Sequence, residues 1–288
     1  MRQKKYFITY NSSKSFKFSN NHLINLALNS NLFDDVYNFS YKDLSQDFTR
    51  KYKNVLQQNR GGGYWLWKLN IIDQVFSKIN KNDIVLYLDS GSTLNYFAKK
   101  RFDDYCYRLS SSDYGLLNFS TIFIEKEWTT QEIFDYFKIN IDSEIANSPQ
   151  REGGTLLFQK NDHSLSLIQE FYKLLNVDPY LITDKYNDSQ NSEFFKENRH
   201  DQSIFSLLSK IYGSINYENE THFKNRESLQ YSYPFLSTRH SDQNLFFKSI
   251  YYLNYSKSST TPRFFVNENL NSLNKFYKKY FYFNTKLK

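Results

Sequence analysis

Asp89 closes the apolar run Ile84-Val85-Leu86-Tyr87-Leu88 and opens the small-residue turn Asp89-Ser90-Gly91-Ser92. A continuous apolar run of that length is the pattern of a parallel strand covered on both faces. In open α/β sheets ligands bind at the carboxyl ends of the strands, so a carboxylate delivered there is a site candidate. Upstream, Arg60 and Lys68 flank Gly61-Gly62-Gly63 and Trp65-Leu66-Trp67. Arginine takes phosphate oxygens bidentately and lysine offers a point charge; a solvated helix face accounts equally well for Lys68. The three glycines allow a turn that side chains would block. They resemble a phosphate cradle in composition, but the Gly-Lys-Ser/Thr of a P-loop is missing. Downstream, His200-Asp201-Gln202-Ser203 opens another apolar-periodic stretch. A helix N-terminus favours negative charge, from Asp201 or from a bound phosphate, and an ordinary Asp N-cap reads the same way.

Other polar groups are less pointed. Gln150-Arg151-Glu152-Gly153-Gly154 precedes a second apolar run, and Trp128 follows Glu127. The five histidines form no HExxH and no His-X-His, and His240 follows Arg239 in a predicted loop. The single cysteine, Cys106, excludes an intrachain disulfide and a Cys-based zinc site. Its setting, DDYCYRL, suits a buried apolar cysteine better than a catalytic thiol.

An alternating α/β chain would position these residues. Residues 5–10 read as a first strand ending at Tyr10, and the polar stretch 11–21 as a loop at the sheet edge where a nucleotide base can lie. A helix over 23–28, a strand over 36–39 and a helix over 43–57 follow. From Trp65 the apolar residues Trp65, Leu66, Leu69, Ile72, Val75, Phe76 and Ile79 recur at three and four, one helix face. Trp65 and Trp67 are two apart and cannot both face one core; Trp65 fits the core stripe and Trp67 the wall of a pocket. After strand 84–88 come a helix over 97–109, a strand over 114–119, helix around 125–137, loop over 147–154, a buried strand over 155–158 and a helix over 164–176. Residues 178–195 are polar and irregular, a helix starts at 201, and the pattern weakens beyond Gly213, with one further strand over 232–238. The β-α-β-α-β order predicts a mostly parallel, nucleotide-binding sheet flanked by helices.

RGGGYWLWK followed by DIVLYLDSGSTLN resembles a group of bacterial and viral sugar transferases with the GT-A nucleotide-sugar fold. The resemblance takes in KYFITYN, the Leu32-Phe33-Asp34 segment, Glu127-Trp128, the 150–158 segment and ENRHDQSIFSLL, and spans roughly residues 4–212. It implies a nucleoside-diphosphate sugar bound by Tyr10, Arg60, Gly62, Trp67, Lys68, Asp89, Ser90 and Gly91. It places Asp201 and Gln202 near the donor sugar and the anomeric carbon. Glu152 stands as base for the acceptor hydroxyl, and Gln150 and Trp128 stand at the acceptor. Asp89 would hold Mn²⁺ or Mg²⁺, or the donor ribose. Gly91 replaces the second acid of the usual Asp-X-Asp, so a cation would need help from Ser92, the donor phosphates, water or His240.

The chain has 288 residues, 19% of them aromatic, with only 8 Gly and 4 Pro, which excludes a disordered or collagen-like chain. Such a length can bury one large core, and the expected organisation is a GT-A-like domain over 1–245 with a basic, aromatic extension over 246–288. The formal net charge of +7 is scattered, and no groove-reading motif supports a nucleic-acid partner. No signal-peptide pattern opens the chain, and no apolar run approaches the roughly 18 residues of a membrane span. The expected compartment is the cytoplasm, with FYKKYFYFNTKLK at 276–288 as a peripheral contact on anionic lipid at the inner membrane face. The expected function is transfer of a hexose-type sugar to a saccharide or lipid-linked glycan acceptor, in surface-polysaccharide or lipopolysaccharide assembly or in glycan modification by a virus. The rival from another class is a non-catalytic nucleotide-sugar or glycan-binding protein on the same fold.

Overall fold

The computed structural model describes residues 2–11, 16–222 and 232–238. β1 (Lys5–Tyr10) is followed by α1 (Lys17–Asn29), β2 (Asp35–Phe39) and two short helices, α2 (Gln46–Lys51) and α3 (Lys53–Leu56). A left-handed turn, α4 (Gly61–Tyr64), leads into α5 (Trp67–Phe76) and β3 (Ile84–Leu88). Next come β4 (Thr93–Leu94), α6 (Lys99–Ser110), β5 (Leu116–Ile124), α7 (Glu125–Trp128) and α8 (Gln131–Phe137). β6 (Pro149–Arg151) and β7 (Thr155–Gln159) precede α9 (Asp162–Val177), α10 (Asp201–Ile211), β8 (Ile215–Tyr217) and β9 (Phe235–Leu236).

Seven strands form one sheet in the order β2-β1-β3-β7-β5-β6, with β8 also paired to β5. β1 runs parallel to β2 and β3, and β8 parallel to β5. β7 is antiparallel to β3 and β5, and β6 to β5. Five of the seven strands therefore point one way, the mostly parallel α/β arrangement that the alternation predicts. Side chains alternate across the sheet as the pleat requires. Tyr6, Ile8 and Tyr10 of β1, with Val85 and Tyr87 of β3, enter one core covered by α5, α9 and α10. Phe7, Ile84, Leu86 and Leu88 enter the other, covered by α1 and α6. Burying both faces is what makes 84–88 an unbroken apolar run. Cys106 lies in the second core. Burial pushes its thiol up to about 12, so it packs rather than reacts.

Several local expectations change. The helix expected over 43–57 breaks at Tyr52, whose backbone (φ −106°, ψ 22°) leaves the helical region. The helix expected from Trp65 starts at Trp67, because Tyr64 and Trp65 have φ of 54° and 57°. The loop expected over 147–154 contains the edge strand β6, and the three-residue β8 is too short to show a pattern. Among the described residues no helix is long and apolar enough to cross a membrane. The extension at 246–288, with its 276–288 tail, and His240 lie outside the described residues.

Candidate active site

The carboxyl ends of β1 and β3 open onto a cleft of about 550 Å³. Because β7 runs antiparallel to β3, the residues before it, Glu152-Gly153-Gly154, arrive beside the strand exit. The Asp89 amide donates to the Gly154 carbonyl at 2.9 Å. A Cβ at Gly154 would meet Asp89 Oδ2 at 2.9 Å, and one at Gly153 would meet Gln202 Cβ at 2.9 Å. The two glycines thus let β7 approach Asp89 and the start of α10 together.

Lys68, on the first turn of α5, reaches under this junction. Its ammonium bonds the Asp201 carboxylate, donates to the Gly153 carbonyl at 2.7 Å and lies 3.7 Å from Asp89 Oδ1. It also sits 4.7 Å from the centre of the Tyr87 ring. The Lys68 side chain is 2% exposed, Asp201 7% and Asp89 42%, so Asp89 is the carboxylate offered to the cleft. Burial would lower the Lys68 pKa, but Asp201 and Asp89 outweigh it and hold the ammonium above its usual range. Burial pushes Asp201 up to about 6, against the pull of Lys68. The Tyr87 hydroxyl donates to Asp89 Oδ1, and burial, then the Asp89 charge, keeps that phenol protonated well above its usual range. Lys68 is therefore neither a solvated helix residue nor a phosphate ligand at the surface; it is the buried counter-ion of two carboxylates.

The glycine segment is a left-handed turn. Gly61, Gly62, Gly63, Tyr64 and Trp65 have φ of 57°, 61°, 98°, 54° and 57°. Left-handed helical backbone costs L-residues about 1–2 kcal/mol each, and glycine escapes that cost. A Cβ at Gly63 would also lie 2.6 Å from Leu56 Cα. The turn is held from outside: Asp184 accepts from Arg60 Nη1 at 3.0 Å, the Tyr64 hydroxyl at 2.8 Å and His200 Nε2 at 2.9 Å. Arg60 also pairs with Glu197. Arg60 borders the cleft as expected, but its guanidinium is taken up by these carboxylates rather than left for phosphate. Trp65 and Trp67 exchange the roles expected of them. Trp67 is buried, stacks on Tyr10 with ring centres 3.7 Å apart and donates from Nε1 to the Gly61 carbonyl at 2.9 Å. Trp65 is half-buried on the cleft wall against His200. Tyr10, Trp67 and Gly62 all border the cleft, but the Tyr10 face is covered by Trp67 and is not a platform for a base.

Of the remaining predicted residues, Ser90, Gly91, Glu152, Asp201 and Gln202 border the cleft. The Gly91 carbonyl accepts from the Thr238 hydroxyl at 3.1 Å. Glu152 is buried, and its two oxygens accept from the Thr221 and Ser237 hydroxyls. That makes it an anchor for the segments that wall the cleft, not a base open to an acceptor. Gln202 accepts from the Gly153 amide at 3.2 Å and donates to Gln150 Oε1 at 2.8 Å. Gln150 is fully buried and its amide nitrogen reaches Thr129, Ser203 and the Trp128 carbonyl, so it braces α10 instead of meeting an acceptor. Lys210 with Glu125 at 2.8 Å and the Arg151 amide with Ser206 at 2.7 Å brace the same helix. Trp128 also stands behind the cleft wall, which is formed by Phe123 and Arg199; the Arg199 guanidinium lies 4.1 Å from the Phe123 ring centre and 4.3 Å from that of Trp128.

Sequence reasoning did not pick out Tyr87, Asp184 or the Gly153-Gly154 approach. The period of two in a strand puts residues 87 and 89 on one side, a signal that was available for Tyr87. Asp184 sits in an aperiodic polar segment that offers no such signal.

The resemblance implies Mn²⁺ or Mg²⁺ at Asp89 with help from His240, which lies outside the described residues; the donors among the described residues do not by themselves fit a protein-held divalent ion. Among the described residues no group of three or more His, Cys, Asp or Glu is arranged to hold one. The space between Asp89 and Asp201 faces the Lys68 ammonium, which does the neutralising there.

No family model matches the chain, and no curated protein matches it. Among solved structures it is similar to a glycosyltransferase involved in the glycosylation of the major capsid of PBCV-1, at 12% identity over 81% of this chain and 91% of that one, with a TM-score of 0.45. Mouse xyloside xylosyltransferase 1 in its apo form matches at 9% identity over 76% and 86%, TM-score 0.41. Mannose-6-phosphate isomerase from Helicobacter pylori matches at 12% identity over 60% and 80%, TM-score 0.32. Likeness of this degree assigns no activity, and the reading of the cleft rests on its own residues.

Proposed function

We propose that the chain is a GT-A-like glycosyltransferase that moves a hexose-type sugar from a nucleoside-diphosphate donor to a saccharide acceptor. One observation carries the reading. An exposed carboxylate, Asp89, and a buried one, Asp201, are held on either side of the Lys68 ammonium in a cleft at the carboxyl ends of parallel strands, the place where α/β sheets bind nucleotides. The motif resemblance of RGGGYWLWK, YLDSGS and HDQS supports it from the sequence side.

In the transfer, the acceptor hydroxyl oxygen bonds the anomeric carbon as the bond from that carbon to the diphosphate oxygen breaks. The nucleoside diphosphate leaves with the bonding electrons, and the hydroxyl proton ends on the leaving phosphate or in solvent. Asp89 accepts a hydroxyl of the donor ribose or sugar. Asp201 carries negative charge beside the anomeric carbon, where positive charge develops. A saccharide, free or lipid-linked, is the acceptor. The basic aromatic tail at 276–288 suits contact with anionic lipid, at the cytoplasmic membrane face, during surface glycan synthesis. A second reading, nucleotide-sugar binding without turnover, draws on the engagement of both Gln202 amide ends by the protein.

A thermal-shift panel of UDP-, GDP-, CMP- and dTDP-sugars on wild type and Asp89→Ala tests the proposal, since a ligand that binds only the folded state raises the melting temperature. A shift with one nucleotide class that Asp89→Ala abolishes is expected. No shift with any of them would remove both readings.

A further inference from the structure

Asp184 is absent from the cleft lining, yet it touches both parts that build the Lys68–Asp201 pair. Arg60 and Tyr64, at either end of the glycine turn, both bond it, and that turn delivers Lys68 on α5. His200 bonds it through Nε2 at 2.9 Å, and Asp201 is the next residue. His200 is buried, with its ring 5.1 Å from that of Tyr64 and 5.3 Å from that of Trp65. Its backbone stands at φ 59° and ψ −122°, a conformation that a non-glycine residue keeps only when its surroundings impose it. The segment carrying Asp184 is itself fixed. Buried Asn198 donates to the Leu181 and Thr183 carbonyls at 3.1 and 2.9 Å, and the Asn198 amide donates to Asn187 at 3.1 Å.

We propose that Asp184 is a positioning residue of this site: through His200 and the left-handed turn it sets the Asp201 carboxylate against Lys68 and the reacting sugar. The inference rests on the transferase reading. It gives the strained His200 backbone a purpose, because releasing His200 lets the first residue of α10 turn away from Lys68. The Asp184 carboxylate does not contact substrate; it acts by fixing one that does.

The experiment uses the full chain and whichever nucleotide sugar it turns over, comparing Asp184→Ala, Asp184→Asn, His200→Ala and the Asp184→Ala/His200→Ala double variant. Misplacing a reacting group by an ångström costs about a hundredfold, so Asp184→Ala is expected to lower kcat by about that factor while donor KM changes by less than about threefold. Asn keeps one acceptor oxygen, for Arg60 and Tyr64, and its amide nitrogen donates to His200 Nε2 once the imidazole takes the Nδ1–H tautomer, so Asp184→Asn is expected to recover part of the loss. Residues acting through one another are non-additive, so Asp184→Ala should add little to His200→Ala. Unchanged kcat in Asp184→Ala, no recovery in Asp184→Asn, or full additivity in the double variant would each overturn the inference while leaving the transferase reading in place. Should Asp184→Ala fail to fold, the isosteric Asp184→Asn and the His200→Ala background still decide: wild-type kcat in His200→Ala overturns it. Wild type that turns over no nucleotide sugar removes the transferase reading first, and the inference with it.

Discussion

Lys68 and Asp201 are 133 positions apart, yet the ammonium of one and the carboxylate of the other meet as a buried pair. The left-handed turn before α5 and the strained His200 before α10 bring them together. Removing one partner of a buried pair leaves an uncompensated charge, which typically costs about 3–5 kcal/mol. Lys68→Met should therefore destabilise the fold by about that much in urea unfolding. Adding Asp201→Asn should restore part of it. A Lys68→Met protein as stable as wild type would contradict the pair's role.

The turn makes a separate prediction. Gly63 combines φ 98° with a Cβ position 2.6 Å from the Leu56 backbone. Gly63→Ala meets both the left-handed penalty of about 1–2 kcal/mol and a clash with main chain that cannot swing aside. Its melting temperature should fall by several degrees, about 2–4 °C per kcal/mol for a domain of this size. An unchanged melting temperature would mean that the turn is not left-handed.

Burial raises the Asp201 carboxyl to about 6 in the folded protein, against about 3.9 in an unfolded chain. Between those values the folded state holds the proton that the unfolded state has released. The Asp201 contribution is thus fully present below the unfolded value and is lost as pH rises through about 6. The stability of wild type minus that of Asp201→Asn should fall as pH is raised from the lower value to the upper. A difference that stays flat, or rises, across that window would refute the buried placement of Asp201.

Glu152 is an anchor here, accepting from Thr221 and Ser237. Hydrogen bonds to a charged group contribute about 1.5–3 kcal/mol each. Glu152→Ala should lower stability by a few kcal/mol, about the sum of the two bonds, and expose the chain around Thr221 and Ser237 to limited proteolysis. Glu152→Gln, which keeps one acceptor, should lose less. Equal, negligible effects of both substitutions would argue that the two segments are held by other contacts.

Much of the frame was legible in the sequence. The strands expected over 5–10 and 84–88 match β1 and β3 to the residue, and in β3 burial on both faces leaves an unbroken apolar run. Asp89 stands out by its place at the end of an apolar run, Asp201 only through the resemblance of the ENRHDQS run, and Lys68 no more than evenly against a solvated helix face. What they do with one another was not readable, since Lys68 looks like any helical lysine until α10 and the end of β3 close over it. The same limit hid Asp184, whose partners at 60, 64 and 200 are distant in sequence. Trp65 and Trp67 exchange roles because the helical period is counted from Trp65, the last of five left-handed residues, and a period cannot reveal that backbone. Gln150 and Trp128 were placed at an acceptor because polarity and aromaticity do not distinguish a brace behind a wall from the wall itself.

The measurement that tests the account most directly is release of nucleoside diphosphate from the sugar nucleotides by wild type and by Asp201→Asn, with a saccharide acceptor added. Steady release from one nucleotide class is expected, faster with acceptor, with a loss of about a hundredfold or more in Asp201→Asn, the scale of removing one group that stabilises transition-state charge. No release from any donor, or release that Asp201→Asn leaves unchanged, would contradict it.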